Sequence, residues 1–404
     1  MIPFSPPHID DKIIDAVTEV LRSGWITTGP KTKLFEKNIS AYCGSKSTLC
    51  LNSATAGLEI MLRWFGVGVG DEVILPAYTY SATANVVMHT GAKPVFVDVN
   101  ADDFNINCNE VEKAITKRTK VIMPVDFGGF PCNYEALNQL AEVSRIDFKP
   151  NCENQKLLGR IMILSDAAHS FGASQGAKKT GSLTDVSVFS FHAVKNLTTG
   201  EGGAIALNLP APFDNDEIYK FLCVLTLHGQ NKDALAKMQK GNWRYDIVEA
   251  GYKCNMTDIN AAIGLVELER YDADTLIKRK LICDAYAKVL SKYEWAQLPV
   301  MQTAGSMTSY HLFPLRIKGI TELQRDQIMQ FIFDKDVSVN VHFIPLPMLS
   351  FYKNQGYEIT SYPVTLDNYS REITLPVFYD LTDKQIEAVV NAVVSAVEKV
   401  IAKA

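Results

Sequence analysis

The chain has 404 residues, enough for two or three domains that each bury a core. Hydrophobic residues make up 47% of it and charged residues 21%, the balance of a globular protein rather than a disordered or fibrous one. A formal net charge of −5 argues against a broad nucleic-acid surface, although a helix end can still hold a phosphate locally.

The opening MIPFSPPHIDDK lacks the charged start and long apolar run of a signal peptide, and no later window is apolar enough to span a membrane. Eight scattered cysteines show no CxxC or Cys/His metal spacing, so free thiols in a reducing cytoplasm are expected.

Helical spacing of Ile13, Ile14, Val17, Val20 and Leu21 predicts a first helix over 10–23, with Asp10 as N-cap and Gly24 as stop. A loop through Trp25 and a second helix over 31–42 follow. The strand 47–51 then runs into the small-residue turn Asn52-Ser53-Ala54-Thr55-Ala56-Gly57 and a helix over 58–65. A strand–turn–helix of this kind offers free N–H groups to an anion, but it also reads as a plain helix cap.

Beyond it, strands at 72–75, 94–99, 120–124, 161–165, 186–191 and 203–207 alternate with helices at 81–90, 109–116 and 133–143. Such alternation predicts a mainly parallel α/β sheet, whose ligands sit beyond the carboxyl ends of the strands. The polar segment 145–160 reads as a surface insertion. Residues 228–250 read as irregular, with Trp243 and Tyr245 as interface aromatics or a local mini-core. Long helices are expected over 258–290. After them come a strand at 310–317, a helix at 322–334, a strand at 337–342 and a helix at 382–400. The expected division is a large α/β domain over 1–250 and a smaller C-terminal α+β domain over 251–404.

Two residues carry chemistry in this pattern. Lys195 follows the buried strand Val186–Phe191 and precedes Gly200-Glu201-Gly202-Gly203; burial would free its amine to attack a carbonyl, though a surface lysine fits the local sequence equally. Asp166 ends the apolar strand Ile163-Leu164-Ser165 and reads alone as a helix N-cap. Together they match what pyridoxal phosphate requires, a Schiff-base lysine and a carboxylate that keeps the ring nitrogen protonated.

The motifs SGWITTGP (23–30), NSATAGL (52–58), PAYTYSATAN (76–85), SDAAHS (165–170), SFHAVKNLTTGEGG (190–203), GYKCNMTDINAAIG (251–264) and YHLFPLR (310–316) extend this over nearly the whole length. In that order they resemble the DegT/StrS-type PLP-dependent nucleotide-sugar aminotransferases of fold type I. Within that family they look most similar to UDP-4-amino-4-deoxy-L-arabinose–oxoglutarate aminotransferases and their 4-keto-sugar relatives.

The resemblance implies that Lys195 binds the cofactor covalently and shuttles the proton, while Asp166 pairs with the ring nitrogen. It puts His169 at the phenolic oxygen and Tyr80 on the ring face. Ala54, Thr55 and Ser190 match phosphate binders, and Asn255 matches a phosphate contact supplied by a second subunit, so a homodimer with shared sites is implied. Trp25, Ile26, Thr27, His342 and Phe343 correspond to the nucleotide-sugar cleft. The implied reaction moves an amino group from L-glutamate to the C4 ketone of a UDP- or dTDP-linked sugar, with no metal, for cell-surface polysaccharide or glycolipid synthesis.

The chain departs from the pattern at Ser165, where an acid usually stands, in the length of 145–160, and between Gly229 and Ala250. A lysine at 195 argues against the family's dehydratase branch, which has histidine there. A 3-keto-sugar aminotransferase and a catalytically silent ligand sensor remain the alternatives.

Overall fold

A computed structural model describes residues 1–231 and 244–402, so Trp243 lies outside the described residues. The N-terminal helix α1 (Asp11–Ser23) is capped by the Asp10 side chain and closed by left-handed Gly24. Helix α2 (Pro30–Cys43) begins on a proline, whose missing N–H costs nothing in a first turn. Strand β1 (Ser47–Leu51) leads to α3 (Ala54–Trp64), β2 (Glu72–Pro76), α4 (Ser81–Thr90), β3 (Lys93–Val97), α5 (Cys108–Ala114), β4 (Thr119–Ile122) and α6 (Tyr134–Val143). The short α7 (Glu153–Leu158), β5 (Met162–Asp166), the two-residue β6 (Ser174–Gln175) and β7 (Lys178–Lys179), β8 (Val186–Ser190), β9 (Gly203–Leu207) and α8 (Asn215–Leu225) follow.

Seven strands form one sheet in the order β1-β9-β8-β5-β4-β2-β3, and only β9 runs against the others. Strands β1, β2, β5 and β8 therefore deliver their carboxyl ends to one edge. The central strands are buried along their whole length, as expected with helices on both faces. This is the mainly parallel α/β architecture read from the alternation, and it is the fold type I arrangement.

The C-terminal part builds a smaller sheet from β10 (Ala296–Gln297), β12 (Phe313–Ile317) and β13 (Glu372–Leu375); β11 (Ser306–Met307) pairs with β6 instead. Helices Leu276–Leu290, Glu322–Phe333 and Asp383–Ile401 cover it, and both of the latter start in a Thr/Gln capping box. Its core joins Ile2 to Tyr286, Phe313, Ile328, Leu375 and Val393. The helix Asp258–Arg270 packs elsewhere: Met256, Ala261 and the following Tyr271 share a cluster with Phe35 of α2 and with Phe171 and Phe191, which follow β5 and β8.

Three expectations change. Helix α3 starts at Ala54 rather than Leu58, because the Ser53 hydroxyl accepts the Ala56 N–H and draws the small residues into the first turn. Residues 337–342 form no strand; they make two isolated bridges, Val337 to Ile2 and Asn340 to Thr374 of β13. The edge partner of β12 is β13, four residues that follow the helix Pro363–Arg371 without a break. The 145–160 segment is not simply a surface loop, since it carries α7, and Gln155 is fully buried against the carboxyl end of α3.

Candidate active site

A cavity of about 390 Å³ lies beyond the common sheet edge, closed on the other side by residues in and around the smaller sheet, among them His311, His342 and Leu375. Of the residues expected at a site, Ala54, Thr55, Tyr80, Asp166, His169, Ser190, Lys195, His342 and Phe343 all line it. Trp25, Ile26, Thr27 and Asn255 do not. They cluster instead at the amino end of the helix Asp258–Arg270, where Asn255 donates to the Thr28 hydroxyl at 2.5 Å and the Asp258 N–H donates to the Thr27 carbonyl.

Lys195 stands in the turn between antiparallel β8 and β9, which is closed by Phe191 N–H to Gly202 O and Thr199 N–H to Phe191 O. Asn196 ties this loop to the segment that enters β12, donating to Ser309 O at 2.6 Å and accepting from His311 Nδ1 at 2.8 Å. Burial pushes the Lys195 ammonium down to about 8, with Asp166 opposing the shift. At pH 7 roughly 10% of such an amine is neutral, against about 0.03% at an ordinary lysine value.

Asp166 ends β5, is 6% exposed, and accepts hydrogen bonds from the Thr83 hydroxyl at 2.8 Å and the Ala168 N–H at 3.3 Å. Both donors are neutral, and desolvation raises the carboxyl above its usual range. A buried carboxylate facing a cavity without a hydrogen-bonded cation is a place for a cationic ring nitrogen.

His169 and His311 sit 4.5 Å apart, ring centre to ring centre, and burial keeps both neutral. The Gly128 N–H donates to His169 Nδ1 at 3.3 Å, which leaves the His169 proton on Nε2 as a donor. The Asn196 amide, fixed by Ser309 O, takes the His311 proton at Nδ1 and leaves Nε2 as an acceptor. His311 lies within a motif noted in the sequence, and the fold brings it to the cavity wall, held there by Asn196. Tyr80 is 62% exposed at the rim, 5.7 Å from the Phe343 ring.

At the sheet end of the cavity, Ser53 caps α3 and leaves the first amides, Ala54 and Thr55, without intrahelical partners. Gly203 runs so close that a Cβ there would meet Ala54 N at 2.4 Å and Ser53 C at 2.5 Å. Backbone amides, Ser190 and the helix end together make an anion cradle. Lysine, carboxylate and cradle fit pyridoxal phosphate, whose aldehyde, ring nitrogen and phosphate match them in turn.

This constellation defines an aminotransferase site, and comparison with known proteins agrees. Residues 7–394 match the DegT/DnrJ/EryC1/StrS aminotransferase family, and the chain belongs to that family. Over 399 residues it is 35% identical to the spore coat polysaccharide biosynthesis protein SpsC of Bacillus subtilis, covering 97% of this chain and 96% of SpsC. The Streptococcus pneumoniae protein Spr1654, assigned as a sugar aminotransferase, superposes in its PMP form with a TM-score of 0.96 at 45% identity, over 99% of this chain and 100% of Spr1654. Its PLP form gives a TM-score of 0.94 at 43% identity over 99% of each chain. PseC of Helicobacter pylori, an aminotransferase of pseudoaminic acid biosynthesis, matches at a TM-score of 0.86 and 26% identity over 98% of this chain and 99% of PseC. The protein is a PLP-dependent sugar aminotransferase.

Proposed function

We propose that this enzyme transfers the amino group of L-glutamate to the C4 ketone of a UDP- or dTDP-linked keto-sugar, for a cell-surface polysaccharide or glycolipid. The observation that carries the reading is the pairing of a pKa-lowered Lys195 with a cation-seeking Asp166 in one cavity. The form of the SFHAVK stretch favours C4, and the polysaccharide assignment of SpsC supports the setting.

Pyridoxal phosphate supplies the carbonyl that carries the amino group and the electron sink that makes a neighbouring C–H acidic. The protein's part is to place and move protons. Asp166 holds a proton on the ring nitrogen by remaining ionised beside it. His169 offers its Nε2–H to the phenolic oxygen. Lys195, largely relieved of its solvation, would accept a proton at Nζ from substrate carbon and return it to the carbon on the other side of the transferred nitrogen.

Among the described residues no arginine lines the cavity, so the substrate carboxylates and the phosphate find few fixed cations in one copy. Asn255 and the exposed Lys253 beside it are set apart from their own cavity. A homodimer in which this segment, with Trp25, Ile26 and Thr27, completes the neighbour's site accounts for their placement. Eight free thiols suit a reducing cytoplasm, and no described helix is long and apolar enough to cross a membrane.

The test is the visible spectrum of the holoenzyme. L-glutamate should bleach the cofactor band, and a UDP- or dTDP-4-keto sugar should restore it. Restoration by 3-keto sugars alone would move the chemistry to C3, and a band indifferent to every amine donor would leave a ligand sensor.

A further inference from the structure

Behind His342, on the small-domain wall of the cavity, lies a chain of polar groups that the reaction described so far does not use. Glu372 opens β13 and is fully buried. Its Oε2 accepts the His342 backbone N–H at 3.0 Å, and its Oε1 contacts the Thr374 hydroxyl. The same hydroxyl is 2.9 Å from His342 Nδ1. His342 lines the cavity, and among the described residues its Nε2 has no hydrogen-bond partner.

One hydroxyl between two groups has only one proton to give, so its direction is decided by its neighbours. When Glu372 is ionised, Thr374 donates to it and can only accept from His342. The histidine proton then lies on Nδ1, and Nε2 faces the cavity as an acceptor. When Glu372 is protonated, Oε2 is already committed to the His342 N–H, so the proton sits on Oε1 and is donated to Thr374. Thr374 then donates to Nδ1, and the histidine presents Nε2–H. We propose that Glu372 is a positioning residue which, through Thr374, sets the tautomer of His342 and feeds a proton to substrate oxygen at Nε2.

The transfer balances. Nε2–H passes its proton to the substrate oxygen, Thr374 Oγ1–H passes to Nδ1, and Glu372 Oε1–H passes to Thr374. One proton leaves Glu372, one arrives at substrate, and the imidazole is never a cation. That matters because burial and Lys195 push the His342 imidazolium down to about 3, which disfavours delivery by a charged ring. An oxygen that must leave as water when nitrogen replaces it at a ketone requires such a proton, and in this respect the inference rests on the proposed function.

Glu372 is suited to the reservoir role, because desolvation raises it to about 8. The groups that face it are Arg316 on β12, Arg325 on the helix Glu322–Phe333, and Tyr78. Lys195, His169 and His311 face His342. Neither arginine forms an ion pair with the Glu372 carboxylate: Arg316 serves the carbonyls of Ala101 and Asp102 and the Asn368 amide, and Arg325 serves Asp326, Glu322 and the backbone carbonyls of Tyr369 and Glu372. A glutamine would make the same two contacts without the cost of a buried charge, so a purely structural role does not account for the acid.

The test is tautomer-resolved nitrogen NMR on ¹⁵N-histidine-labelled holoenzyme, whose seven histidines leave few signals, with His342→Gln to assign them. In the wild type the His342 Nδ1 and Nε2 shifts should exchange character as pH rises through about 8. Glu372→Gln, whose amide donates to Thr374, should hold the Nε2–H form at every pH. Thr374→Val should uncouple the ring from pH and Thr374→Ser should restore the exchange. Lys195→Ala should leave it in place, separating it from lysine titration. A wild-type ring with one tautomer from pH 6 to 9.5, or an exchange that survives in Glu372→Gln, overturns the relay. In turnover, Glu372→Gln should lower kcat across the pH range, because an amide holds the tautomer but cannot pass its proton on, and should remove the alkaline limb, with KM little changed. The NMR result does not depend on which sugar is accepted, so an enzyme inactive on all keto-sugars but showing the exchange would reject the proposed substrate and keep the relay.

Discussion

Two buried carboxyl groups serve one cavity from opposite sides, and their surroundings differ. Asp166, at the end of a parallel strand in the large sheet, has only a hydroxyl and one amide as partners and opens on the cavity. Glu372, on an antiparallel strand of the small sheet, is sealed away and reaches the cavity through two other side chains. Burial raises both above the usual carboxylate range. The first can be stabilised as an anion by a cation that binds; the second has none within hydrogen-bond reach and is stabilised by keeping its proton. Opposite charge states at one pH follow from whether a ligand can reach the acid.

The comparison is broken most sharply from the Asp166 side. Lys195→Ala should abolish transamination, by at least about 10³-fold, and leave cofactor binding through the phosphate cradle, read as bound cofactor without the lysine-linked visible band. Asp166→Asn should act in two directions. Loss of a charge-assisted bond should weaken holoenzyme assembly by roughly 10- to 150-fold. The cofactor-free protein should gain stability, a melting temperature higher by about 1–3 °C at neutral pH, because a buried charge is gone. No bond need be lost, since the new amide can donate to Thr83, whose hydroxyl turns to Thr79 at 2.9 Å. A cofactor-free Asp166→Asn that melts lower than the wild type would show that Asp166 is already paired within the chain.

How much of this was legible differs between the same two regions. Around the seven-stranded sheet, period and punctuation placed all seven strands and the helices α1 to α6, since each strand is a short apolar run closed by a small-residue turn, and the chemistry sits at those turns; α7, α8 and the two-residue β6 and β7 were not read. Asp166 and Lys195 are readable because a charge just past an apolar run is expensive and so needs a purpose. In the small domain the chemistry is set by pairing between distant segments. Glu-Ile-Thr-Leu, directly behind a helix, has no turn to announce a strand, and only its register against Phe313–Arg316 makes it one. Glu372 meets His342 across 30 residues and His311 meets Asn196 across 115, and neither distance leaves a local trace. The α3 start was misplaced for the opposite reason: small residues in Asn52–Gly57 mimic a turn, and the cap that makes them helical is one hydroxyl bond.

A smaller effect sharpens the Glu372 side. Its folded value lies above its ordinary 4.5, so the folded chain holds a proton that the unfolded chain gives up. The sign follows: the stability from this group is fully present below pH 4.5 and is lost as pH rises through about 8. Glu372→Gln has no such loss. Its melting temperature should match the wild type near pH 4.5, exceed it increasingly up to about pH 8 and hold that lead above it, in a scan of both proteins on one buffer series. Parallel curves would mean that Glu372 ionises in the fold as freely as in the open chain.

The smallest effect on activity should come from the insertion, and it marks how far the site extends. Gln155 is buried, its Nε2 donating to Phe65 O at 2.9 Å and its Oε1 accepting the Asn151 N–H at 2.8 Å. Gln155→Ala removes both bonds and leaves a small void, a loss of about 1–3 kcal/mol. These contacts are made at the carboxyl end of α3, while the cavity meets the amino end, some 15 Å away along eleven residues of helix. A rigid helix transmits little of a packing loss at its far end, so kcat and KM should stay within about twofold of the wild type while the protein melts earlier. If kcat fell with stability, α3 would have to tilt as a body, and the phosphate cradle would depend on a segment whose sequence gave it no part in the chemistry.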